Sequence, residues 1–427
     1  MTWESAARTL FDRIEGMRGV CPGSTAGEPF PLSGFKKMLV DFFGTREGFY
    51  AYRRMLHLPE SATVTRLPQR PLHAYALEKG HHLVETAPAG IPYAIPPPTT
   101  AGVPPPAGVR GVTRGAYVTR VPNARVFGRS AAIAMDDCVI HDYEAHELPE
   151  SIMAMDLDLA FLKWSDDEVW LIHTEPSREI PEAFGALLGP LTGHFGDWLS
   201  VYLSKYFTAL AGGLPPDVPV LVDRHMPARN LEALEVLSRG RCRTIAIDPY
   251  ETVRVRELWY APEMRSGPPE RWRAAVAQMR DGAADVAPGR AERVFLGRSP
   301  QFARHKLVND GAIEALARDR GFEVVYAERL AFADQIATLK GANYVLGPEG
   351  TAMLLNFFAS PGTKVCILTN PAVDPLSGAV GIYRELGLDV TIVTGPSVAG
   401  GRDPVGAFYD DFAIDERALA AFLDAWL

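Results

Sequence analysis

Arg293-Val-Phe-Leu-Gly-Arg-Ser (residues 293–299) and Tyr344-Val-Leu-Gly-Pro-Glu-Gly-Thr-Ala-Met (residues 344–353) decide the fold, because each runs an apolar strand into a turn that opens a helix. The same unit recurs around them. Strand Arg293–Leu296 leads to helix Leu307–Asp319, strand Glu323–Tyr326 to helix Ala333–Lys340, and strand Tyr344–Leu346 to helix Thr351–Ala359. Strand Lys364–Leu368 leads to helix Gly378–Leu386, then strand Val390–Val393 and helix Asp415–Leu427 close the chain. Short apolar strands separated by single amphipathic helices predict a doubly wound parallel sheet.

Working outward, residues 195–260 show a looser αβαβ texture. Helix Phe195–Leu210 is followed by strand Val218–Val222, helix Ala228–Ser238, and strands Arg243–Ile247 and Val253–Tyr260. The spacing predicts a second α/β unit with its own parallel sheet, facing the first across a cleft. Upstream, Ala116–Tyr143 reads as short strands, and Leu157–Trp164 with Val169–His173 as a hairpin about a Ser-Asp-Asp turn. Thr86–Arg110 carries Pro-Pro-Pro after both Ile95 and Val103. Proline lacks a backbone N–H and fixes φ, so this stretch reads as an extended strap. Helical patterns at Phe35–Phe43 and Tyr50–Leu56 and an amphipathic helix at Met1–Arg18 precede it. The expected division is an N-terminal extension at 1–110, an α/β domain at 111–265 and a Rossmann-like domain at 266–427.

The chain has 427 residues, 52 acidic and 43 basic, for a net charge of -9, which argues against a nucleic-acid partner. Its apolar fraction of 47% supplies a large core, and no stretch reaches the roughly 20 apolar residues of a membrane span. Cys21, Cys138, Cys242 and Cys366 stand far apart, without a C-x-x-C pair. They suit neither a cysteine zinc site nor a disulfide framework. The expected compartment is the cytoplasm, with at most peripheral attachment at the inner membrane.

Three segments carry candidate chemistry. In Gly347-Pro-Glu-Gly-Thr351, glycines permit close backbone approach, and free N–H groups at a helix start suit a phosphate. Glu349 would repel phosphate and so suits ribose or sugar hydroxyls; the alternative is a plain strand-to-helix turn. In Gly297–Lys306, Arg298 and Arg304 suit bidentate phosphate contacts and Lys306 adds charge, or else the three form a solvated helix start. In Thr192–Leu199, His194 and Asp197 open a helix, and either suits general-base work; the alternative is an acid favoured by the helix dipole beside a cap residue. Asp156 and Asp158 have a spacing that can hold a divalent cation, but they open an alternating strand and read first as acids on its solvated face. His141 and His146 lie on a strand and turn rather than on one helix face, so they do not form a zinc pair. No nucleophile elbow, Walker loop or dinucleotide fingerprint occurs in a strand-to-helix context.

Together these segments resemble glycosyltransferase family 61, whose members include eukaryotic O-linked N-acetylglucosaminyltransferases, plant xylan-decorating transferases and bacterial capsular-polysaccharide-type proteins. The resemblance spans Ala116 to Ala425 and is strongest from Arg293 to Leu368. It rests on Arg298, Arg304, Asn309-Asp310, Gly321-Phe322, Gln335, the turn Gly347–Gly350 followed by Asn356, and Asn123 and Arg125 in an entry strand. Two family histidines are replaced by acids, at Glu349 and Asp197. The resemblance to the bacterial capsular type implies an inverting, metal-independent transferase of GT-B architecture: two Rossmann-like domains, with a β-rich N-terminal part here. It implies no cofactor, a nucleotide-sugar donor (UDP-sugar foremost) and a glycan or lipid-linked acceptor in surface polysaccharide synthesis. The implied donor-binding residues are Arg298, Arg304, Asn309, Gln335, Gly347, Glu349, Gly350 and Thr351, with Asp197 or His194 as base. A polysaccharide pyruvyl transferase, a sugar-nucleotide epimerase or a non-catalytic glycan-binding relative on a similar scaffold are the alternatives.

Overall fold

The structure, a computed structural model, describes residues 50, 53, 58–95, 99–101, 109–141, 158–165, 167–262, 269–299, 307–370, 378–398 and 410–427. The expected helices at Met1–Arg18 and Phe35–Phe43 lie outside these residues, as do Cys21, His146, Asp156, Arg304 and Lys306.

In chain order the strands are β1 (Thr63–Pro71), β2 (Leu83–Ile95), β3 (Thr99–Ala101), β4 (Val109–Phe127), β5 (Ile133–Ala134), β6 (Val139–His141), β7 (Phe161–Trp164), β8 (Glu168–His173), β9 (Glu179–Phe184), β10 (Val220–Asp223), β11 (Thr244–Ile247) and β12 (Thr252–Tyr260). The second half adds β13 (Arg293–Leu296), β14 (Glu323–Val325), β15 (Tyr344–Pro348), β16 (Lys364–Thr369) and β17 (Asp389–Thr394). They form two sheets.

The second sheet has the order β14-β13-β15-β16-β17-β3, with every pair parallel. This is the doubly wound sheet expected from its sequence, with one addition. β16 shows why the strands read as unbroken apolar runs: both faces are buried. Val365 and Ile367 join the large core, while Cys366 and Leu368 join a second core on the opposite face. That second core is covered by helices Asp310–Arg318 and Glu416–Trp426, through Ile313, Ala317, Leu419, Leu423 and Trp426. The other face packs on Phe332–Gly341, Thr351–Phe358 and Gly378–Glu385. Thr351–Phe358 is a 3-10 helix rather than the expected α-helix. The chain leaves β13 for β14 on one side and returns to β15 on the other, so β13 and β15 flank the topological switch point.

The first sheet departs from expectation. It is one mixed sheet of eleven strands, β11-β10-β9-β12-β4-β5-β6-β1-β8-β7, with β2 also paired to β4. The parallel sheet expected for the second α/β unit is only its end, β11-β10-β9-β12; β12 then turns the sheet antiparallel by pairing with β4. A Rossmann-like N-terminal domain would have this parallel run as the body of its sheet; here it is four strands at one end of a larger mixed sheet. The unread β9 fills the gap between β10 and β12, and its Pro181, without an N–H, falls where the β9–β12 register skips a pair. The 161–173 hairpin forms as expected. Of the stretch expected as a strap, Thr86–Ile95 belongs to β2 and Val109–Arg110 opens β4, and these strands pair with each other as a long antiparallel ribbon. Between them β3 crosses to the second sheet and pairs with β17.

The two sheets share one core. Rings of Phe195, Phe332 and Phe358 meet edge to face, with centroids 5.9 and 6.0 Å apart. The backbone N–H of Phe332 donates to Glu232 at 2.8 Å, and Arg273 pairs with Glu385 at 2.9 Å.

Candidate functional site

The site is built where three loop ends meet. At the switch point, β13 ends in Gly297-Arg298-Ser299 and β15 ends in Glu349-Gly350-Thr351. The strands approach so closely that a Cβ on Gly347 would lie 2.8 Å from the Leu296 carbonyl oxygen. Gly350 takes φ +152° and ψ -178°, a conformation almost confined to glycine. Arg298 crosses to it: a Cβ there would lie 3.6 Å from Arg298 Nη1. Thus Arg298 and the turn that precedes Thr351–Phe358 form one wall of a crevice outside the carboxyl ends of parallel strands, the usual ligand position in such sheets.

Charge in this crevice is mixed. Burial pulls the Arg298 guanidinium below its ordinary range, while the carboxylates of Glu349, Glu328 and Asp411 push it back up. A partly buried cation among acids is costly unless paired, and a phosphate would compete for it. Behind the turn, the Tyr383 hydroxyl donates to the Met353 carbonyl at 2.7 Å; burial, and secondarily Glu349, push its phenol up. Asn356 is buried and donates to the same carbonyl at 2.8 Å.

The first sheet supplies the opposing wall. Helical backbone begins at Phe195–Asp197, runs through a wide π turn at Trp198–Tyr202 and continues as Leu203–Ala211. Its first turn rests on Thr351: a Cβ on Gly196 would lie 2.9 Å from Thr351 Oγ1. His194 Nδ1 and Asp197 Oδ2 are 2.9 Å apart, with side chains 62% and 21% exposed, so the pair is reachable from solvent. The loop leading to it is pinned from below. Leu191 N–H donates to Tyr202 Oη at 3.2 Å, and Asn230 Nδ2 to the Thr192 carbonyl at 2.7 Å. Trp198 Nε1 donates to the Asn230 carbonyl at 2.7 Å, which ties the helix to the same anchor.

Of the expected site residues, Arg298, Gly347, Glu349, Gly350 and Thr351 meet at the crevice, with His194 and Asp197 beside Thr351. Two others have their amides committed to backbone. Asn309 Nδ2 donates to the Ile414 carbonyl at 2.8 Å and its Oδ1 accepts from Ile414 N–H, tying in the C-terminal segment. Gln335 is buried and donates to the carbonyls of Ala327 and Leu330 at 2.8 and 3.1 Å. Asp158 is buried, not on a solvated face; its carboxylate accepts the N–H groups of Ala131 and Ala160, both at 2.9 Å. Arg125 donates to the Met135 carbonyl at 2.6 Å. Sequence reasoning missed Glu328, Asp411 and the buried Asp223. The first two reach Arg298 from distant segments, which no local pattern records. Asp223 left one faint mark, an acid closing the apolar run Val220-Leu-Val. Among the described residues, no group of three or more His, Cys, Asp or Glu side chains is placed to hold a metal ion, and no helix is long and apolar enough to cross a membrane.

Strand ends at the switch point of a doubly wound sheet, faced by a second, mixed sheet, place the protein in the two-sheet α/β class. Residues 80–366 match the family model described as Glycosyltransferase 61, so the chain belongs to that family and is a glycosyltransferase, an enzyme of sugar transfer with a sugar donor and an acceptor. The match begins upstream of the expected Ala116, within the residues just before β2, and ends inside β16. No curated relative matches the chain.

Proposed function

We propose that this protein is an inverting, metal-independent glycosyltransferase. It takes a sugar from a nucleotide-sugar donor, a UDP-sugar foremost, and moves it to a hydroxyl of a glycan or lipid-linked acceptor in surface polysaccharide synthesis. Arg298 and the N–H groups at Gly350-Thr351 hold the diphosphate and stabilise the charge it gains on leaving. Glu349 accepts from donor hydroxyls. Asp197 takes the acceptor hydroxyl proton as that oxygen bonds to the anomeric carbon and the bond to the diphosphate breaks on the opposite side. His194, hydrogen-bonded to the same carboxylate, orients it and can relay the proton. The two sheets divide the labour in GT-B fashion, donor on the second and acceptor on the first. The free thiols of Cys138, Cys242 and Cys366 suit a reducing compartment such as the cytoplasm.

The observation that carries this reading is the meeting at one turn of Arg298, against Gly350, and of Gly196 in the His194–Asp197 helix start, against Thr351. The test is calorimetry with UDP, then turnover of a panel of UDP-, GDP- and CMP-sugars. Arg298→Ala should weaken UDP binding about 10- to 100-fold, the loss of a charge-assisted contact worth about 1.5–3 kcal/mol. Epimerised sugar, or no binding of any nucleotide, would overturn the reading.

A further inference from the structure

Asp223 closes β10, and only 4% of it is exposed. It is a buried acid behind the loop of the candidate base, and the transfer chemistry above does not use it. Its carboxylate accepts the backbone N–H of Arg129 at 2.6 Å and a short hydrogen bond from the Thr192 hydroxyl. Arg129 sits at φ +56°, a left-handed conformation that a non-glycine residue holds only when its surroundings enforce it. Thr192 is two residues before His194, and the Thr192 carbonyl is held by Asn230. The His194 N–H donates back to Leu191 at 3.0 Å. The buried carboxylate therefore sits at the root of the loop that presents His194 to Asp197, with Gly196 seated on Thr351.

We infer that Asp223 is a positioning residue for sugar transfer: through Thr192 and Arg129 it fixes the loop that orients the His194–Asp197 pair toward the crevice. This rests on the reading of that pair as the base. Packing alone does not account for a carboxylate here. Burial raises its carboxyl to about 6, with the Thr192 and Arg129 hydrogen bonds opposing the rise, so at neutral pH the fold carries a mostly ionised acid that it pushes toward neutrality. An apolar residue, or an amide of the same shape, would avoid that cost. What an amide lacks is acceptor capacity on both branches. The side chain of Asp223→Asn has one oxygen; with that oxygen on the Arg129 N–H, its amino branch donates to the Thr192 hydroxyl and turns the hydroxyl's own proton to the Gly189 carbonyl, 3.1 Å away, which re-aims Thr192.

The test uses the full chain and four measurements: thermal unfolding, UDP affinity by calorimetry, UDP release from a UDP-sugar panel with water as acceptor, and the imidazole 15N signals of His194. Asp223→Asn should unfold no earlier than the parent at pH 7.5 and bind UDP within about twofold. Its kcat should fall about 10- to 100-fold, the range of a misplaced reacting group, and the His194 Nδ1 signal should leave its carboxylate-bonded position. Thr192→Val should move kcat and the signal in the same direction, by less. The inference is overturned if Asp223→Asn keeps both kcat and the His194 signal, or if lost activity merely tracks lost folded protein. Failure of the underlying reading looks different. Asp197→Asn would then keep full kcat, or the parent would turn over no nucleotide-sugar at all, and either result removes the basis of the inference as well.

Discussion

The two sheets solve different problems. The second is parallel throughout, buried on both faces and regular in its crossovers, and it offers a ligand the ends of its strands. The first is mixed, with strands from 63 to 260 threaded out of sequence order, and it offers a single helix start held by buried polar side chains. Regularity makes the binding wall by topology, since any doubly wound sheet opens a crevice at its switch point. The wall proposed to carry the base is made by individual contacts, namely those of Asp223, Asn230, Trp198 and Tyr202. The contrast teaches that a substitution on the second sheet should act on donor affinity, and one beneath the first sheet's loop on turnover.

The sharpest break of that division is Asp197→Asn. Turnover should drop about 10²- to 10⁴-fold, as for loss of a general base, while UDP affinity by calorimetry stays near the parent's. Equal loss of affinity would erase the contrast. Next is the seam that holds the walls together. Phe332→Ala removes the middle ring of the Phe195–Phe332–Phe358 stack, so denaturant unfolding should report a loss of about 3–5 kcal/mol.

Asp223 gives a pH test of the first sheet. Its folded value of about 6 exceeds the ordinary carboxyl range near 3.9, so between those limits the native state binds more protons than the unfolded chain. Its contribution to stability is therefore full below about pH 4 and lost as pH rises through about 6, a fall of about 3 kcal/mol. In Asp223→Asn this segment of the stability–pH curve should be flat. Smaller still is Gly350→Ala on the second sheet. Forcing a side chain to φ +152° should cost about 1–3 kcal/mol in unfolding experiments, with a weaker grip on UDP and little change in kcat at saturation.

The same contrast governs what the sequence could reveal. Every strand of the second sheet except β3 was legible: β13, β15, β16 and β17 are buried runs that read as apolar, and the half-buried edge strand β14 is marked by the helices on either side of it. Arg298 and Gly350 were legible for the same reason: they stand at strand ends. The first sheet hides its plan. β1, Thr-Val-Thr-Arg-Leu-Pro-Gln-Arg-Pro, is polar, and β9 carries two glutamates and Pro181, so neither shows a strand's pattern. Which of two amides would face a ligand was not legible either. Asn309 and Gln335 match the family's pattern, yet both are committed to backbone carbonyls, and only the fold reveals where an amide points.

β3 makes the order of synthesis matter. Thr99–Ala101 leaves the ribosome early, whereas its partner Thr391–Val393 is among the last strands made. A pairing between such distant segments closes late and slowly. Until it closes, the outer edge of β17 is an open row of backbone donors and acceptors, the kind of edge that recruits other chains. A protein with Thr99–Ala101 replaced by Gly-Pro-Gly would carry that open edge permanently while keeping β1 and β2 in the first sheet. It should therefore self-associate in solution, even though every residue of the switch-point crevice is still present.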